Sequence, residues 1–134
     1  VPYLRRRGGE LAALVLSHPH ADHVGGAATV LRRLRPPLVW DAAFALGSDT
    51  YRDVLDAARG AGARWRRVHP GDSLVVDGLV LTVLAPDSAW TASLPDPNSA
   101  SVVLSARFGR VRFLLTGDAE AAEERWLLAR ARGD

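Results

Sequence analysis

Apolar positions along the chain change their period twice. Leu11 to Leu16 is an unbroken apolar run, Leu-Ala-Ala-Leu-Val-Leu, as expected of a short strand buried on both faces. From Val24 to Arg35 the spacing becomes three and four. Ala27, Val30, Leu31 and Leu34 share one side of a helix, which Pro36-Pro37 stop. Leu38 to Trp40 reads as a second short buried strand ending at Asp41, and Asp49 to Ala61 as a second amphipathic helix. That helix carries Tyr51, Val54, Leu55 and Ala58 on one side, with Gly60 and Gly62 closing it. Trp65 and Val68 sit in a short strand among arginines. From Asp72 the pattern is that of strands. Ser73 to Val76, an Asp77-Gly78 turn and Leu79 to Leu84 predict a hairpin. Ala85 to Asn98 reads as a polar loop, and Ser101 to Phe108 with Val111 to Thr116 as a second hairpin. Ala119 to Arg132 is a helix with glutamates early and arginines late, as its dipole prefers. Ahead of all this, Val1 to Gly9 resembles the tail of a helix that Gly8-Gly9 end. The order β-α-β-α-β, two hairpins and a helix predicts an α/β sandwich with helices outside two sheets.

Composition narrows the class without naming a function. The chain has 134 residues, 48% hydrophobic and 24% charged, which is globular and long enough to bury a core. No apolar run approaches the roughly 18 residues of a membrane helix. There is no cysteine, so no disulfide framework exists, and all 17 basic residues are arginine. A net charge of +2 is too small to argue nucleic-acid binding from the total. The absence of methionine leads to the expectation that this is a fragment of a longer product.

Chemistry concentrates at His18-Pro19-His20-Ala21-Asp22-His23, directly after the first apolar run. Pro19 keeps His18 out of the α region, so the segment is expected to leave the strand extended. Residues two apart then point the same way, aiming His18 and His20 at one spot. Asp22 and His23 are expected in the turn before the next helix, free to point at a second spot nearby. Imidazole suits zinc, iron or manganese, and a carboxylate without cysteine beside it favours hard or borderline ions. The competing reading is a polar loop in which Asp22 only caps a helix.

Other candidates are individually ambiguous. Asp118, in Thr116-Gly117-Asp118 after a strand, is by itself either a helix N-cap or a ligand. His69 opens His-Pro-Gly-Asp and reads as a surface turn. The arginine groups at 5–7, 32–35 and 64–67 read as solvated faces, diluted by interleaved acids. The four tryptophans are expected in packing, Trp90 least firmly because it falls in the polar loop. Gly25-Gly26 at a helix start could bind an anion or serve close packing.

His-Pro-His-Ala-Asp-His-Val-Gly-Gly matches the HxHxDH signature and paired glycines of the metallo-β-lactamase superfamily. The wording around it, together with Asp72 to Pro86 and Arg-Val-Arg-Phe-Leu-Leu-Thr-Gly-Asp, resembles the metallo-β-lactamase-like domain of ComEC-type competence proteins for DNA uptake. The resemblance implies an αββα sandwich, incomplete at both ends, with residues 1–134 forming part of one such domain. It implies two divalent metal ions, zinc or manganese. His18 and His20 would hold the first, Asp22 and His23 the second, and Asp118 would bridge them, with Asp22 also catalytic. The family's third histidine for the first metal has no counterpart, and Asn98 or Asp96 is expected to substitute. The last family histidine and the opening hairpins are expected outside this chain. On the same grounds the domain is expected to be a metal-dependent phosphodiesterase acting on DNA, with single-stranded DNA as its substrate. It would belong to a multi-pass bacterial membrane protein and lie on the extracytoplasmic side. The alternatives are a hydrolase of the same fold acting on a small ester, lactam or thioester, and a non-catalytic DNA-binding or structural module.

Overall fold

A computed structural model of the chain describes residues 2–43, 48–94 and 100–131. It divides into two compact units, residues 1–67 and 68–134.

The first unit opens with helix α1 (Pro2–Arg7) and is built on a parallel three-stranded sheet in the order β1-β2-β3. The strands are β1 (Leu14–Val15), β2 (Leu38–Asp41) and β3 (Arg64–Arg67). The middle strand β2 is buried at every position, as its apolar run predicts. β1 is shorter than the expected Leu11–Leu16, and Leu11 is only half-buried. It stands at the edge of its sheet, and its ladder covers only Leu14 and Val15. The Leu16 N–H still reaches the Trp40 carbonyl at 2.9 Å, carrying the chain straight into His18.

Helices α3 (Ala27–Leu34) and α4 (Asp49–Ala61) supply most of this unit's core. Leu31 and Val54 are almost wholly buried, with Ala27, Ala28, Ala57 and Ala58 in the same cluster. Small residues at these positions let the helix surfaces interlock closely. The bounds of α4 are those the periodicity predicts. Ser48 caps it, its Oγ accepting the Tyr51 N–H at 3.1 Å.

The second unit carries an antiparallel four-stranded sheet in the order β4-β5-β6-β7. The strands are β4 (Ser73–Val76), β5 (Leu79–Ala85), β6 (Val103–Phe108) and β7 (Val111–Leu115). Both expected hairpins are present. Asp77 and Gly78 have φ of +48° and +83°, the positive values that a two-residue turn of the I′ type requires. The expected polar loop instead contains a helix, α5 (Ser88–Ala92). The Asp87 carboxylate accepts the Ala89 and Trp90 N–H groups, both at 3.0 Å. Local capping therefore makes a helix where composition suggested none. Trp90 stacks on Trp126, ring centroids 5.4 Å apart, so it packs instead of standing free in a loop. Helix α6 (Ala121–Ala131) ends the unit. His69 is exposed, as a turn residue should be.

Candidate metal centre

The His18–His23 segment is shaped by two features of its own sequence. Pro19 keeps the chain extended as far as His20, at φ −66° and ψ +147°. The next residue begins a helix, α2 (Ala21–Val24), so Asp22 and His23 are helical and do not lie in a turn. The His20 carbonyl accepts the N–H groups of both His23 and Val24, at 3.0 and 2.9 Å. The expected single helix from Val24 is thus two helices, α2 and α3, with Gly25-Gly26 between them. A Cβ on Gly25 would lie 2.5 Å from the Ala21 carbonyl oxygen, well inside contact distance. Glycine here serves close packing beside the histidines.

This one turn of helix swings His23 back onto His18. Their ring centroids are 4.0 Å apart, closer than the 4.7 Å between His18 and His20. His18 is buried, while His20 and Asp22 are exposed. His18 and His23 each offer a ligand atom within 4.8 Å of the other. The Asp22 carboxylate lies 3.6 Å from His23 Nε2. His18 therefore lies near both His20, expected to share its spot, and His23, expected at a second spot nearby. His18 is the ring around which the other two gather.

Ser17, which the sequence reading passed over, supports this cluster. Its hydroxyl lies 3.3 Å from His18 Nδ1 and 3.1 Å from His23 Nδ1. A hydroxyl oxygen has two lone pairs and can accept an N–H from each ring. Imidazoles in that tautomer keep a lone pair at Nε2, the arrangement by which an outer partner readies a histidine for a metal. Imidazole nitrogens beside a carboxylate, without thiolate, form a donor set that fits zinc or manganese.

Asp118 belongs to the second unit, in the turn after β7. It stands three residues ahead of Ala121, the first residue of α6. Gly117 before it has φ +54°, and the Asp118 N–H donates to Ser101 Oγ at 3.1 Å. Ser101 is itself buried, its N–H donating to Glu123 Oε2 at 3.0 Å. Burial pushes the Glu123 carboxyl up to about 7, although the Ser101 N–H opposes this. Asp96 and Asn98, the expected substitutes for a third histidine, lie outside the described residues.

A second buried acid was also missed. Asp41, at the end of β2, accepts hydrogen bonds from the Tyr51 hydroxyl and, at 3.3 Å, from Trp65 Nε1. Burial raises its carboxyl above the usual range despite both donors, and the Tyr51 hydroxyl is raised by its own burial and by Asp41. The sequence signal was slight, a single acid closing an apolar strand.

The chain is 34% identical over 129 residues to "ComE operon protein 3" of Bacillus subtilis, covering 92% of this chain and 16% of the relative. It is 32% identical over 133 residues to "Recombination protein 2" of Haemophilus influenzae, covering 99% of this chain and 15% of the relative. The chain thus spans only a small part of the length of these relatives. Residues 2–134 match the metallo-beta-lactamase superfamily. With its mixed helices and strands, its two sheets and its histidine-rich segment after β1, the chain belongs to that superfamily.

Proposed function

We propose that this chain carries the metal-binding residues of a dinuclear hydrolase that cleaves phosphodiester bonds in DNA. The observation that carries the reading is His18, buried between the rings of His20 and His23 with Ser17 on the Nδ1 of two of them. Three imidazoles packed together without a ligand gain little, and cations that take their lone pairs would account for the arrangement.

In this reading His18 and His20 would hold one ion and Asp22 and His23 the other, with Asp118 shared between them. Asp96 or Asn98 would complete the first set. The ions, zinc or manganese, would supply an activated water and neutralise charge on the scissile group. Ser17 keeps the imidazoles in the ligating tautomer. Asp22, exposed at the start of α2, holds a negative charge beside His23 and has access to substrate.

DNA as substrate is supported by similarity to the two relatives above, one of which is named for recombination. Members of the superfamily are generally hydrolases, and their metal centre serves several substrates, so the fold alone does not select one. We place residues 1–134 within a metallo-β-lactamase-like domain of a longer ComEC-like membrane protein for DNA uptake, on its extracytoplasmic side. The relatives' greater length supports a longer parent protein. Among the described residues no helix is long and apolar enough to cross a membrane.

The test is cleavage of single-stranded DNA by the intact protein, with added manganese or zinc and after chelation. Metal-dependent cleavage lost on chelation is expected. Turnover of a lactam or thioester instead would move the assignment to a carbonyl substrate. DNA binding without metal uptake would leave a non-catalytic module.

A further inference from the structure

Among the described residues, the one position that α6 buries fully is an acid, Glu123, 1% exposed. Trp126 and Leu127 on the same helix are only half-buried, and Leu128 is exposed. The carboxylate is half-satisfied. Oε2 accepts the Ser101 N–H at 3.0 Å, while Oε1 is buried and has no partner among the described residues. A half-satisfied buried carboxyl is costly, and an apolar side chain of similar size would be cheaper at such a place. Stability therefore does not explain the acid.

Its single bond leads towards the candidate site. Ser101 lies just ahead of β6, and its Oγ accepts the Asp118 N–H at 3.1 Å. Glu123 thus fixes the backbone of Ser101, and Ser101 fixes the backbone of Asp118. With Gly117 at φ +54°, the turn before Asp118 has a backbone freedom that this relay removes.

We propose that Glu123 is a positioning residue, holding the Asp118 carboxylate in place for a metal through Ser101. This rests on the reading of Asp118 as a ligand. Outer partners of metal ligands commonly change affinity 10- to 100-fold when removed, because a ligand must be held still to bind tightly.

The experiment is manganese titration of the intact protein, with thermal stability and hydrogen exchange at the Asp118 amide measured in parallel. Three variants are compared with wild type. Glu123→Leu removes the acceptor and keeps bulk. Glu123→Gln keeps an acceptor for Ser101. Ser101→Ala breaks the second bond while leaving Glu123 in place. Glu123→Leu should keep its thermal stability, bind manganese roughly 10- to 100-fold more weakly, and exchange its Asp118 amide faster. Glu123→Gln should restore most of the affinity, which a purely steric role would not require. If Glu123→Leu fails to fold, Ser101→Ala should show the same loss of affinity. Wild-type affinity in folded Glu123→Leu, or in Ser101→Ala, would overturn the positioning role. Wild type that takes up no manganese would instead overturn the metal reading. The two failures are distinguishable, because amide protection at Asp118 is read without metal.

Discussion

The two parts of the proposed centre are supported from opposite distances in sequence. In the first unit His18 and His23 lean on Ser17, one and six residues away. In the second unit Asp118 leans on Ser101, 17 residues away, and Ser101 leans on Glu123, 22 residues away. A support one turn away forms with the turn itself. A support across a hairpin and a helix forms only once those elements have docked, after the loop-closure entropy has been spent. The histidine cluster is thus a local structure set on a scaffold, and the Asp118 turn is a product of the scaffold.

The buried acids do not divide this way. Asp41 in the first unit takes two side-chain donors on one carboxylate oxygen, from Tyr51 and from Trp65, 10 and 24 residues away. Glu123 in the second has one backbone donor, and each acid keeps one buried oxygen without a partner among the described residues.

The largest effect should come from Asp22→Asn, which keeps shape but removes a negative charge from the proposed metal centre. Cleavage should slow by roughly a hundred- to thousandfold, the size of losing one group that stabilises the transition state, about 2.7–4 kcal/mol. Equal rates in a metal-supplemented assay would remove Asp22 from the site.

Next comes the pH dependence set by Glu123. Its carboxyl rises from 4.5 to about 7 on folding, so between these values the folded chain keeps a proton that the unfolded chain has released. Stability should therefore be fully present below about pH 4.5 and fall as pH rises towards 7, by at most about 3 kcal/mol. Asp41 is raised as well and adds a slope of the same sign. Glu123→Gln should flatten the Glu123 part of the curve in denaturant melts at several pH values. An unchanged slope would mean that Glu123 is ionised at little cost in the folded chain.

Ser17→Ala should weaken manganese binding roughly 10- to 100-fold while thermal stability stays near wild type. This variant sharpens the contrast, since a local support is lost without disturbing any distant packing. A large fall in melting temperature would show that Ser17 is tied into more than the histidines.

The smallest effect belongs to Asp87→Ala, which strips two N–H bonds from the start of α5. About 1 kcal/mol of stability should be lost, the usual cost of an N-cap. A cost near zero in a denaturant melt would mean that α5 is held by packing, with Trp90 against Trp126 as its anchor.

Much of the fold was legible because its signals are short-range. Periodicity and caps delimited α4, and Asp77-Gly78 announced the first hairpin. Boundaries failed where one short-range signal overrode another. Proline and two glycines turned a single expected helix into α2 and α3, and an Asp87 cap turned a loop into α5. The histidine motif was legible because all its members lie within six positions. Its internal geometry was not, because Asp22 and His23 were expected in a turn and instead lie in the short helix α2.

What the sequence by itself determined is the candidate donor set: His18, His20, Asp22 and His23 after an apolar strand, with Pro19 inside it and Gly25-Gly26 closing it. These depend on backbone sterics and on residues within one or two turns, which act before anything folds. The tertiary structure alone decided which side chain stands behind Asp118. Nothing in Glu123 as a letter distinguishes it from Glu124, which is exposed. Burial on α6 and a bond to Ser101 set it apart, and both exist only when the helix lies where it does, because desolvation and hydrogen bonding belong to places in space and not to positions along the chain.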